Sequence, residues 1–166
     1  MTRVYVSVGS NIERDHNIRS GLAALRQHFN GLVTSSLYES NAYGFEGDNF
    51  YNLVAGFDTD EDLHTVSRVL QEIEDRHGRV RSGPRYSSRT LDLDLLTYGD
   101  TVMREPGLVL PRPEILKRAF VLAPLAEIAG QVRHPVEGKT YADLWKAFDK
   151  LAHSIWRVAL NGTIEA

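Results

Sequence analysis

The sequence predicts an α+β domain in which helices pack on an antiparallel sheet, and three observations carry that expectation. Alternating segments rich in valine and tyrosine are interleaved with segments whose apolar residues recur at helical spacing. Over the first hundred residues the order is strand, helix, strand, strand, helix, strand, which is the βαββαβ order of a ferredoxin-like core; the remainder forms C-terminal additions. A chain of 166 residues, 42% hydrophobic and 25% charged, suits a single soluble domain. One domain over residues 1–160 and a short tail over 161–166 are expected.

The elements follow in order. Arg3 to Val8 alternates and stops at Gly9-Ser10-Asn11, the mark of a strand running into a turn. Between Asp15 and Asn30, Ile18, Leu22, Leu25 and Phe29 line one helical face, and Asn30-Gly31 supplies the stop. Leu32 to Glu39 and Phe50 to Asp58 read as strands joined by a loop longer than a tight hairpin needs. Thr59 or Asp60 can cap a second helix that buries Leu63, Val66, Leu70 and Ile73 and ends at Gly78. Thr90 to Tyr98 returns to strand. Pro106, Pro111 and Pro113 break the next stretch, Glu114 to Ile128 is helical with an interruption at Pro124, Tyr141 to Leu151 is a further helix, and Ile155 to Leu160 a late strand.

Composition excludes several classes of chemistry. With no cysteine there is no disulfide, thiolate metal site or cysteine nucleophile. A net charge of -3 argues against a surface built to neutralise nucleic-acid phosphates. No segment approaches the roughly 18 continuous apolar residues of a membrane span, and no hydrophobic leader precedes the first strand, so a cytoplasmic protein is expected. The six histidines lack close metal-ligand spacing, so no zinc site is assigned, and no Gly-rich phosphate loop with its lysine occurs.

Charge is nevertheless uneven. Arg76, Arg79, Arg81, Arg85 and Arg89 fall in a stretch with no acidic residue, and the next charges are Asp92 and Asp94. In Arg89-Thr90-Leu91-Asp92-Leu93-Asp94-Leu95-Leu96 the strand period of two sets both aspartates on one face and Leu91, Leu93 and Leu95 on the other. Two carboxylates side by side repel unless a cation lies between them, and such hard oxygen ligands suit Mg²⁺ together with phosphate oxygens and water. An isolated Asp-x-Asp is more often a solvated strand face. A basic loop next to it, with guanidinium forks suited to phosphate oxygens, shifts the balance toward a metal-and-polyphosphate site.

Several segments together resemble one family. Ser7-Val8-Gly9-Ser10-Asn11, Phe50-Tyr51-Asn52, Arg89-Thr90-Leu91-Asp92-Leu93-Asp94, and Leu110-Pro111 followed by Arg118-Ala119-Phe120-Val121-Leu122 are similar to the motifs of the 6-hydroxymethyl-7,8-dihydropterin pyrophosphokinases, across nearly the whole chain. The resemblance implies transfer of pyrophosphate from ATP, the co-substrate, to the hydroxymethyl group of the pterin, releasing AMP. It implies two Mg²⁺ on Asp92 and Asp94, Arg79 and Arg89 acting on the triphosphate, and supporting ATP contacts from Gln71, Glu74, Arg81, Arg85, Tyr86, Leu95, Arg112 and Arg118. By the same carry-over the pterin lies between Phe50 and Phe120, with Asn52 reading its polar edge and Ser40, Asn41 and Tyr43 beside it. Small molecules are the expected partners, with no nucleic acid and no membrane, and the chain is expected to be a monomer.

Three departures stand out. Tyr86-Ser87-Ser88 stands where the family usually has Trp-Gly-Pro, Pro111-Arg112-Pro113 where Pro-His is common, and Asn41-Ala42 where paired prolines are usual. Two other classes bear on the same residues. One is a non-catalytic pterin or nucleotide sensor with an altered lid. The other is a ferredoxin-like RNA-binding module, which Asp92 and Asp94 oppose by repelling phosphate.

Overall fold

The computed structural model describes residues 1–41, 48–78, 90–150 and 154–159. In chain order the elements are β1 (Thr2–Ser10), α1 (Arg14–His28), β2 (Val33–Thr34), β3 (Leu37–Ser40), β4 (Phe50–Thr59), α2 (Leu63–Arg76), β5 (Asp92–Tyr98), β6 (Met103–Glu105), β7 (Leu108–Leu110), α3 (Glu114–Lys117), α4 (Ala119–Ala129), α5 (Tyr141–Ala147) and β8 (Ile155–Val158). The main sheet runs β5-β1-β4-β3-β8, with β2 also paired to β4, and its ladders are antiparallel. The expected ferredoxin-like core is therefore present, with β8 added at the far edge.

The two faces of the sheet bury different residues. Val4, Val6 and Val8 of β1, Leu53, Ala55 and Phe57 of β4, and Leu93 and Leu95 of β5 point toward α1 and α2, meeting Ile18, Leu22, Leu25, Val66, Leu70 and Ile73. Phe29 stacks on Phe57 with ring centroids 3.9 Å apart. On the opposite face Tyr5, Val54 and Leu96 pack against Ile115, Val121, Leu122, Leu125 and Tyr141 from α3, α4 and α5. Helices thus lie on both faces, where the core motif alone predicts one. The C-terminal additions supply the second layer, and Leu96, which lies at a one-residue register shift in the β1–β5 ladder, packs in it.

Several boundaries differ from the sequence reading for identifiable reasons. The segment read as one strand over Leu32 to Glu39 is split into β2 and β3. Ser35 diverts the ladder there: its N–H donates to the Val54 carbonyl at 2.9 Å while its hydroxyl accepts from the Val54 N–H at 3.0 Å. The cap of α2 is Asp62, which accepts from the Thr65 N–H at 2.8 Å; Thr59 instead accepts from the Glu61 N–H at 3.1 Å, before the helix begins. The helical stretch after Pro113 breaks at Arg118, whose backbone is extended, and Pro124 lies buried inside α4. The hairpin β6–β7 was not foreseen. Pro106-Gly107 at its tip, with Gly107 at φ 78°, has the residue order of a type II turn, and Leu108 and Leu110 carry it into the core.

One carboxylate joins the second layer to the sheet. Glu127 of α4 accepts hydrogen bonds from the Tyr38 hydroxyl at 2.7 Å and from the Ser36 N–H and hydroxyl at 2.8 and 2.9 Å, with Arg157 of β8 3.6 Å away. Burial alone would raise the Glu127 pKa, but these donors outweigh it and hold the carboxyl below its ordinary value. A depressed carboxyl contributes stability that is complete above the unfolded-state pKa and is lost as pH falls through the folded one. We predict that melting temperature falls more steeply below about pH 4.5 in the natural chain than in Glu127→Gln, measured by thermal denaturation across pH; parallel profiles would refute this role.

Candidate active site

The register of the sheet brings the sequence-predicted residues onto one face. Asp92 pairs with Gly9, Gly9 with Asn52, and Asn52 with Tyr38; one step along, Asp94 pairs with Ser7 and Ser7 with Val54, and Ser40 pairs with Phe50. Directly opposed residues of antiparallel strands share a face. Asp92, Asp94, Asn52, Ser40 and Phe50 therefore project from the same side as Val54 and Leu96, the side on which α4 lies. Strand spacing sets Asp92 about 10 Å from Asn52, two strands away. Gly9 stands between them and contributes no side chain.

That gap is closely fitted. A Cβ at Gly9 would come within 3.0 Å of Asn52 Oδ1 and 3.9 Å of Phe50 Cδ1. Asn52 and Ser40 are buried, and the Asn52 amide donates to the Ser40 hydroxyl at 2.8 Å, which turns Oδ1 toward the space above Gly9. Phe50 at the start of β4 and Phe120 in the first turn of α4 are both half-buried, and Phe120 packs against the core on this face. Asn41 is exposed just beyond β3. The turn after β1 ties neighbouring segments to the floor of the site: the Ser10 hydroxyl donates to the Thr90 carbonyl, and the Asn11 amide to the Asp48 carbonyl at 3.0 Å.

At the other end of the face Asp94 meets Arg112. Arg112 Nη2 lies 3.2 Å from Asp94 Oδ1 and its Nε 3.6 Å from Glu114 Oε1. Burial would favour a neutral guanidine, yet the carboxylates of Asp94, Glu114, Asp92 and Glu74 reverse that effect and hold the Arg112 proton more tightly than in solution. Its backbone is fixed as well, the N–H donating to the Leu96 carbonyl at 2.9 Å and the carbonyl accepting from the Ile115 N–H at 3.1 Å.

Two residues that the resemblance assigns to the nucleotide also have structural roles. Leu95 turns its side chain into the core under α1 and α2. Glu74 is buried, and its carboxylate accepts the Leu93 N–H at 2.8 Å. Because β5 is an edge strand, alternate N–H groups lack a neighbouring strand; Glu74 satisfies the one between Asp92 and Asp94. Gln71 is exposed on the preceding turn of α2, and Arg118 occupies the joint between α3 and α4. Arg79, Arg81, Arg85, Tyr86 and Arg89, and Tyr43, lie outside the described residues. Sequence reasoning did not assign roles to Gly9, Ser10 or Glu114, although the first two sit in the Ser7–Asn11 motif that flagged the segment.

The donor set fits a hard divalent ion bound together with a substrate. Among the described residues no group of three His, Cys, Asp or Glu side chains could hold a metal on its own. Asp92 and Asp94 are a pair, which is what Mg²⁺ commonly takes from protein when phosphate oxygens and water complete its shell. A cation already lies at Asp94, in the form of the Arg112 guanidinium.

Comparison with known proteins accords with this arrangement. Residues 5–130 match the family model of 7,8-dihydro-6-hydroxymethylpterin-pyrophosphokinase (HPPK). The chain belongs to that family. It is 38% identical over 132 residues to the 2-amino-4-hydroxy-6-hydroxymethyldihydropteridine pyrophosphokinase of Bacillus subtilis, covering 77% of this chain and 78% of that one. It is also 38% identical over 149 residues to the enzyme of that name from Pseudomonas aeruginosa, covering 87% and 91%. Among solved structures it resembles the HPPK-DHPS of Plasmodium falciparum with a TM-score of 0.68 at 14% identity; that likeness concerns the fold, and covers 88% of this chain but 43% of the other.

Glu74→Ala is predicted to leave the buried Leu93 N–H without an acceptor and to cost about 1–3 kcal/mol in urea denaturation, while Glu74→Gln, which keeps an acceptor oxygen, costs less. Equal losses in the two variants would contradict the hydrogen-bonding role.

Proposed function

We propose that the face carrying Asp92, Asp94, Gly9, Asn52 and Phe50 is where this chain performs the reaction of its family, transfer of pyrophosphate from ATP to the hydroxymethyl group of 6-hydroxymethyl-7,8-dihydropterin. The observation that carries the reading is the register. It aligns two carboxylates and a buried amide on one surface, with a glycine between them. In the reaction the pterin hydroxyl oxygen bonds to the β-phosphorus, the bond from that phosphorus to the oxygen bridging to the α-phosphate breaks, and AMP leaves with the electron pair. The hydroxyl proton passes to solvent or to a phosphate oxygen.

The described residues have parts that follow from their positions, and the other parts are carried over from the resemblance. Asn52 Oδ1, oriented by Ser40, accepts from the amino edge of the pterin. Phe50 and Phe120 offer ring faces to the bicycle, where stacking excludes water, and the resemblance adds Asn41 and Tyr43 as substrate contacts. Asp92 and Asp94 would hold two Mg²⁺, which supply neutralisation of the triphosphate and a template for in-line displacement. Arg79 and Arg89, with Arg81, Arg85 and Arg118, would spread charge over the phosphate oxygens, so that catalysis is chiefly positioning and electrostatic stabilisation. Tyr86 and Gln71 would contact the nucleotide. Among the described residues no helix is long and apolar enough to cross a membrane, and we take the working form to be a cytoplasmic monomer.

Product identity tests the function. With Mg-ATP and the dihydropterin, the protein is expected to release AMP stoichiometrically with the pyrophosphorylated pterin. Tight ligand binding without AMP would instead mark a sensor, and ADP would mark a different phosphoryl transfer. Asp92→Asn and Asp94→Asn should each lower kcat by at least about a hundredfold, and near-normal turnover at saturating Mg²⁺ would remove them from the centre. Gly9→Ala should raise the pterin KM by roughly tenfold by displacing Asn52, with the fold intact because Gly9 is not among the positive-φ glycines. An unchanged pterin KM would place the substrate elsewhere.

A further inference from the structure

The surroundings of Arg112 are those of a counter-ion shared between two carboxylates. Its guanidinium spans from Asp94 Oδ1, 3.2 Å from Nη2, to Glu114 Oε1, 3.6 Å from Nε. Neither contact has the short, bidentate geometry of a locked arginine–carboxylate pair. The Nε–H is buried without a hydrogen bond, although a small rotation toward Glu114 would provide one. The backbone on either side is held to Leu96 and Ile115, so any movement is confined to the side chain. Arg112 is only about a quarter exposed, at 27%, and Asp94 at 33%, so the pair is partly shielded from solvent.

We propose that Arg112 is a resident counter-ion of Asp94 and that divalent metal enters by cation exchange, the guanidinium giving up Asp94 for Glu114 and for the phosphate oxygens that arrive with the nucleotide. This rests on the reading of Asp92 and Asp94 as the metal-holding pair. The physical reason is competition for one carboxylate. A guanidinium on Asp94 satisfies part of its charge, so a metal ion arriving alone gains less and meets a like charge. Metal arriving with a triphosphate meets an arginine that has a new anionic partner, and the repulsion is relieved. Metal and nucleotide then bind with positive coupling, each raising the other's affinity by the same factor. The exchange breaks no covalent bond and needs no other reactant.

The test is Mn²⁺ binding, followed by calorimetry and by the electron paramagnetic resonance signal of free Mn²⁺, with and without a nonhydrolysable ATP analogue. The proteins are the natural chain, Arg112→Gln, Arg112→Lys, Asp92→Asn and Asp94→Asn, each first shown to be folded by its melting transition. Arg112→Gln is expected to tighten binding of Mn²⁺ alone by about tenfold and to shrink the coupling to nucleotide. Arg112→Lys, which keeps the charge, should stay close to the natural chain. If Arg112→Gln binds Mn²⁺ no more tightly than the natural chain, or shows no binding in either arm, the counter-ion role is overturned. The aspartate variants separate the metal-holding pair from the exchange. Loss of Mn²⁺ binding in them, with Arg112→Gln unchanged, leaves the metal pair standing and removes only the exchange; undiminished binding in Asp94→Asn removes both.

Discussion

The pairing of β1 with β5 is the constraint on which the rest depends. It sets Asp92 opposite Gly9 and Asp94 opposite Ser7, and through β1 it aligns both carboxylates with Asn52 on β4. A slip of one residue would send Asp92 and Asp94 into the core under α1 and α2 and bring Leu93 and Leu95 to the surface. The hydrophobic effect therefore enforces the orientation of the charges: burying two leucines on one face obliges the aspartates to take the other. Glu74 strengthens the same register from outside the sheet, since its bond to the Leu93 N–H covers the edge of β5 between the two aspartates.

Polar and apolar demands are divided along the second face. The half near Tyr5, Val54 and Leu96 is covered by α3, α4 and α5, while the half near Asp92, Gly9 and Phe50 is the one we propose as the site. Phe120 lies at the boundary, partly packed on that core and at the start of α4. Pro124 has no N–H to offer the Phe120 carbonyl, four residues earlier, so the first turn of α4 is less fully bonded than an ordinary helix. The cluster of carboxylates around Arg112 is likewise a site property. Asp94, Glu114, Asp92 and Glu74 come from three parts of the chain, and their shared field keeps the arginine charged despite its burial.

Much of this was legible in the sequence because it depends on short periods. Alternation in Leu91 to Leu95 fixed the faces of β5, and the spacing of Leu63, Val66, Leu70 and Ile73 fixed that of α2. What was not legible depends on partners distant in sequence. Nothing near Ser35 indicates that its hydroxyl meets Val54, and this contact divides β2 from β3. Glu74 has the sequence appearance of an exposed helical acid, and its burial becomes evident only when α2 is laid beside the edge of β5. Arg112 reaches Asp94 through a proline-bounded connection whose path the sequence does not specify.

The central claim is that one sheet face orients both substrates, with polyphosphate at Asp92 and Asp94 and the pterin across Gly9. A crystal structure with Mg²⁺, a nonhydrolysable ATP analogue and the dihydropterin tests it most directly. Metal density touching both aspartates, and a pterin lying over Gly9 against Asn52 and Phe50, is the predicted result. Nucleotide seated elsewhere, such as the cleft of about 1080 Å³ lined by Asn17, Ser20, Arg76 and His77, with both aspartates bare of metal, would contradict it.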